Sequence, residues 1–231
     1  MKTMFIICCL FCLQADCNQV PTSPAATATP VSYTEIKSKI TSEQQRFHDA
    51  YLEVGNNKDS LIKVSRAYIF GEITNSVFPA WFGTPWAFNG TTTQPKTDSI
   101  ACGYFVTTVL RDAGFKIPRV KWAQMASETM ILRMTTDIKR YSNVPAEKVI
   151  AEIKTRGPGL YVVGLDLHVG FIYYDAKTIQ FVHSNYYQPD IGVMAEEPIG
   201  VNPFYYSKYR VVGKILDDKM MTAWLAGSAI E

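Results

Sequence analysis

The chain has 231 residues, 47% of them hydrophobic and 19% charged, which is enough apolar material for one good-sized domain with its own core. Its 23 Lys and Arg against 21 Asp and Glu leave a net charge of +2. With no basic block and no basic stripe interleaved with aromatics, nothing in the sequence calls for a nucleic-acid partner.

The opening MKTMFIICCLFCLQADCNQ sets one lysine ahead of an apolar run from Met4 to Leu13, long enough for the core of a signal peptide and too short to span a bilayer. Residues 1–17 are therefore expected to direct export, either by cleavage after Ala15 or with Cys17 as a lipid-modified first residue that anchors the chain to a membrane. Residues 18–32 contain VPTSPAATATP (20–30), which has no charge and no large apolar residue besides Val20, and are expected to form a flexible linker.

Residues 33–54 place Ile36, Ile40, Phe47, Tyr51 and Val54 at helical spacing and end at GNN, so 33–59 reads as an N-terminal helical extension with a solvated His48. A second helix is expected over SLIKVSRAYIFGEITN, followed by an aromatic loop. Phe105, Val106, Val109 and Leu110 then recur at helical spacing behind Cys102, with Asp98 or Ser99 as the expected N-cap. WAQMASETMILRM and VPAEKVIAEIKTRGPG read as helices, the latter closing at Gly157. The pattern then changes to short Val/Ile/Tyr-rich runs: GLYVVGLD, LHVGFIYY, IQFVHSNY and RVVGKIL are four expected strands. Helices followed by an antiparallel meander predict an α+β fold, N-terminal helices packed on a central antiparallel sheet.

Four of the five cysteines lie in or beside the leader, which leaves Cys102 without a disulfide partner in the folded body. A helix N-terminus stabilises a thiolate through its partial positive charge and free N–H groups, so this position suits a nucleophile. A buried small side chain is the plainer reading of such a cysteine. The histidines favour the first. With a turn at 175–178, Tyr174 faces Ile179, and the register carries His168, His183 and Asn185 to one face of a hairpin. One imidazole can then take the thiol proton while a second polar group orients it. A zinc site would lack a fourth ligand, and no metal or cofactor is called for.

Four stretches, TPWAFNG (84–90), ACGYFVTTVLRDAGFKIPR (101–119), PGLYVV (158–163) and HVGFIYYDAKTIQFVHSN (168–185), follow one another in the order typical of a known family. Over residues 60–216 the chain resembles the NlpC-type peptidoglycan cysteine peptidases, which are papain-like. The resemblance implies an NlpC-type hydrolase domain over 60–231, with Cys102 as nucleophile, His168 as general base and His183 as the group orienting it. Asn185 is the reserve for that third role, since the related CHAP amidases use an asparagine there. It further implies cleavage of an amide in peptidoglycan stem peptides through a thioester; the leader places this activity in the periplasm or cell envelope, and a monomer is expected. The family's Asp, Ser and Tyr are replaced by Ala101, Gly103 and Trp86, so the substrate pocket is expected to be more apolar and to lack a carboxylate for an amine. Two alternatives stand beside this: acyl transfer or ester cleavage on a lipid-like substrate, and a non-catalytic wall-binding module. The hydrolase reading requires a partly exposed thiol of depressed pKa within hydrogen-bond reach of His168.

Overall fold

A computed structural model describes residues 31–231; the expected leader, its four cysteines and nearly all of the linker lie outside the described residues. Ser32 starts the first helix, α1 (Tyr33–Leu52), with a reciprocal capping box to Glu35. The second, α2 (Lys58–Glu72), runs without a break through one π-turn (Ile73–Val77) into α3 (Phe78–Trp81). Pro79 has no N–H to give to the helical ladder, and the π-turn sits where that donor is lost. Then come α4 (Cys102–Asp112), α5 (Arg119–Ala123), α6 (Ser127–Met134), β1 (Ile138–Ser142) and α7 (Ala146–Arg156). After them follow β2 (Gly159–Leu165), β3 (Val169–Tyr174), β4 (Ile179–Ser184), β5 (Val193–Glu196), α8 (Pro203–Tyr206), β6 (Tyr209–Lys214) and α9 (Asp218–Ala226).

The fold is α+β. Among the described residues the strands form one six-stranded antiparallel sheet in the order β1-β6-β2-β3-β4-β5. β2 to β5 make the expected meander, and β6 returns to the other side of β2. The β3–β4 hairpin pairs Tyr174 with Ile179, the register predicted from the turn. Both faces of the sheet are covered. Leu160, Val162, Phe171 and Val182 meet α2, α3, α4 and α6 on one side; Tyr161, Val163, Ile172 and Phe181 meet α7 and α8 on the other. β2 is buried along nearly its whole length for that reason.

The segment 33–59 belongs to this same unit, which extends from Val31 to Glu231, and the boundary expected at 59/60 falls inside α2. α1 lies against α2 and α9. Gln44 donates to Gly114 and Trp224 carbonyls, and the Tyr33 hydroxyl bridges Trp81 and Asp112. His48, expected in solvent, is instead half-buried with Nδ1 2.7 Å from the Leu225 carbonyl, because α9 folds back over that face of α1. The single helix expected over 122–134 is broken at 124–126 into α5 and α6.

Candidate active site

Cys102 is the first residue of α4, the helix that packs against β3 and β4. The helix has no side-chain N-cap: Ala101 occupies that position in extended conformation, and Asp98, offered from sequence as the cap, accepts from Ser99 instead. No side-chain oxygen therefore competes for the first-turn N–H groups. The approach to Cys102 is fixed from several sides. Ala101 donates to Gly90, Ile100 to Pro85, and the Ser184 hydroxyl of β4 to the Ile100 carbonyl. Gly103 is required by packing, since a Cβ there would stand 2.3 Å from the Ala123 carbonyl oxygen of α5. The serine that the resembled family carries at this position does not fit this backbone.

His168 immediately precedes β3, and His183 lies in β4. His168 Nε2 is 2.9 Å from His183 Nδ1, and His183 Nε2 is 2.7 Å from the Glu196 carboxylate at the end of β5. Gly170 leaves room for this arrangement, because a Cβ there would come within 2.8 Å of His183 Cβ. Phe181 stacks on His183 with 4.1 Å between ring centroids, and Tyr186 lies 5.1 Å from His168. Enclosed in this way, both imidazoles are held neutral. Burial lowers His183 to about 3 and takes His168 well below its ordinary value.

The remaining nitrogen of the pair, His168 Nδ1, is buried and has no hydrogen-bond partner among the described residues. Cys102 and His168 share the walls of two adjoining cavities, with Gly103, Ala123 and Leu167. The N–H groups of Val169, Gly103 and Cys102 itself favour the thiolate, yet burial outweighs them and pushes the thiol up. This corrects the depressed value expected from the helix N-terminus alone. The free structure also holds no hydrogen bond between the thiol and His168, so the resting pair is a neutral thiol beside a neutral imidazole. Catalytic hydrogen bonds are often loose before substrate binds.

The larger of the two cavities, about 740 Å³, is lined by Trp86, Phe88, Tyr104, Gln124, Leu167 and Tyr186 among others, and by no Asp, Glu, Lys or Arg. Phe88 and Leu167 on its wall are 81% and 87% exposed. Trp86, Ala101 and Gly103 all line it, as the sequence suggested. Asn185 does not. It is buried, takes the Tyr187 N–H and gives its amide to Met194, so it shapes the Tyr186–Tyr187 turn. The smaller cavity, about 290 Å³, adds Met125, Ser127, Met130 and Asp166. The Asp166 carboxylate already accepts from the Lys208 and Tyr209 amides. A cavity of about 770 Å³ beside α2 holds no cysteine or histidine, and its Arg66 and Asp218 pair with each other.

Glu196 was missed by sequence reasoning. β5 is four residues long and carries no alternation that would mark it as a strand. Comparison of the chain with protein-family models, with curated proteins and with solved structures gives no match.

Proposed function

We propose that this protein is a cysteine hydrolase that cleaves a carbonyl substrate through a thioester on Cys102. One observation carries the reading: the chain from Glu196 through His183 to His168 ends in a buried, unpartnered Nδ1, and His168 and Cys102 line the same two cavities. As the sulfur attacks the carbonyl carbon, its proton passes to His168 Nδ1. The oxyanion that forms is met by N–H groups of the first turn of α4. His168 then returns the proton to the leaving amine or alcohol as its bond to the acyl carbon breaks, and water hydrolyses the thioester by the reverse proton path. His183 orients and stabilises the imidazolium that forms.

The substrate assignment, an amide of a peptidoglycan stem peptide, rests on the resemblance of the sequence to the NlpC-type peptidases, as does the papain-like fold; export to the envelope rests on the lysine and apolar run at the start of the sequence. The uncharged cavity narrows it to a bond whose neighbouring groups are neutral. The same cavity, with Phe88 and Leu167 exposed, favours a second reading, transfer or hydrolysis of an apolar acyl ester.

Digestion of purified peptidoglycan by the protein and by Cys102→Ala, with products read by mass spectrometry, tests the assignment. New muropeptides released only by the intact thiol are the expected result, and their masses name the bond. Turnover of medium-chain acyl esters with no muropeptide release would move the assignment to the second reading. Wall binding without turnover of either substrate would leave a non-catalytic module and overturn the hydrolase.

A further inference from the structure

Two neutral imidazoles joined by one hydrogen bond can be polarised in either direction. If His168 Nε2 carries the proton and donates to His183 Nδ1, then His168 Nδ1 is bare and can accept from a thiol. If His183 Nδ1 carries it and donates to His168 Nε2, the same hydrogen bond is made, but Nδ1 of His168 holds the proton and cannot act as a base. The pair alone does not decide between these states.

The third member does. Glu196 Oε1 lies 2.7 Å from His183 Nε2, and an ionised carboxylate can only accept. His183 must therefore carry its proton on Nε2, which leaves its Nδ1 bare. The 2.9 Å contact to His168 is then made by the His168 Nε2–H, and the base nitrogen is left open. Burial raises the Glu196 carboxyl above its ordinary value and the Asn202 side chain offsets part of that rise; with its side chain 20% exposed, Glu196 is taken as the carboxylate. Asn202 is itself fixed, taking the Tyr205 N–H as the cap of α8 and donating to the Glu197 carbonyl.

We infer that Glu196 is a positioning residue that sets the direction of the His183–His168 hydrogen bond and so keeps Nδ1 of His168 free for the Cys102 proton. Its catalytic consequence rests on the hydrolase reading; its effect on the tautomers does not. The substitution that isolates this role is Glu196→Gln, which keeps shape and hydrogen-bonding reach but can accept from His183 Nε2 or donate to it. A packing role predicts no change in the rings, whereas a polarity role predicts a mixture.

The measurement is ¹⁵N NMR of the imidazole nitrogens in the full chain near pH 7, with alkylation of Cys102 by iodoacetamide as the second readout. In the unmodified protein both rings should be Nε2–H tautomers. In Glu196→Gln a second population with Nδ1–H on both rings should appear. Alkylation at pH 7 should fall by roughly 10-fold or more, within the ~10⁴-fold that a wrong tautomer costs in a serine triad. The deficit should close at high pH, where the thiol ionises without a base. The other titratable groups that share cavity walls with His168 are Cys102, Tyr104, Asp166, Tyr187, Tyr206 and Tyr186, the last raised to about 12. Nδ1–H on His168 in the unmodified protein, or Nε2–H alone in Glu196→Gln, would overturn the inference. The first result needs no variant and decides the matter even if Glu196→Gln fails to fold. Shifted tautomers in a protein that hydrolyses nothing would support the role of Glu196 while the hydrolase reading fails.

Discussion

Replacing His168 with glutamine is expected to lower kcat/KM by about 10²–10⁴-fold, the usual worth of a positioned general base. The size follows from the resting state. Burial pushes the Cys102 thiol up, so almost none of it is thiolate near neutrality, and the N–H groups aimed at the sulfur do not offset this. Ionisation must then accompany attack, which makes the reaction depend on His168 Nδ1, the nitrogen of the histidine pair left without a partner among the described residues. A pre-ionised thiol would be less sensitive to this loss. The substitution should leave substrate binding nearly unchanged, so that the loss falls on kcat, and the rate of the variant should climb steadily with pH as the thiol ionises unaided. Steady-state kinetics from pH 6 to 10 on the substrate found by digestion would show both effects.

Acid should destabilise the protein well before its carboxylates titrate. His183 is held at about 3 and His168 is likewise well below its ordinary value, whereas in the unfolded chain both titrate near ~6.5. Below ~6.5 the unfolded chain takes up protons that the folded one does not, so this contribution is fully present above that pH and is lost as pH falls toward about 3. Each ring should contribute a slope of up to ~1.4 kcal/mol per pH unit across the lower part of this window. Urea unfolding between pH 7 and 4.5 should therefore show a falling midpoint, and the His168→Gln/His183→Gln double variant should flatten it. An equal slope in both proteins would mean that the rings are not buried neutral.

How much of this the sequence could carry depended on the length scale of each signal. The β3–β4 register was legible because a short turn at Asp175–Thr178 and alternating side chains fix pairing locally, and His168 and His183 came together as that register required. α7 closed at Gly157, which adopts a positive φ there. β1 was not legible: IKRYS is an edge strand with charged residues facing solvent, and its pairing to β6 is a long-range choice. β5 is too short for any period to register, and with it went Glu196, whose role depends on two rings brought from elsewhere in the chain. The pocket was partly legible. Trp86, Ala101 and Gly103 meet at the cavity because the 84–101 loop is tied by backbone bonds to the 189–193 segment, while Asn185, on the correct face of the hairpin, turns to hold Tyr187. The missing N-cap also escaped prediction: Asp98 and Ser99 are suitable types, but Ala101 is pinned to Gly90 and the helix starts after it.

Capture of the acyl-enzyme tests the central claim most directly. The protein, mixed with an activated acyl ester whose acyl group is apolar and uncharged, would be quenched in acid within seconds and its intact mass and peptides read. The account predicts one acyl group, on Cys102, labile to hydroxylamine, and formed far more slowly in His168→Gln. An unacylated Cys102 whose iodoacetamide alkylation is as fast in His168→Gln as in the unmodified protein would contradict it.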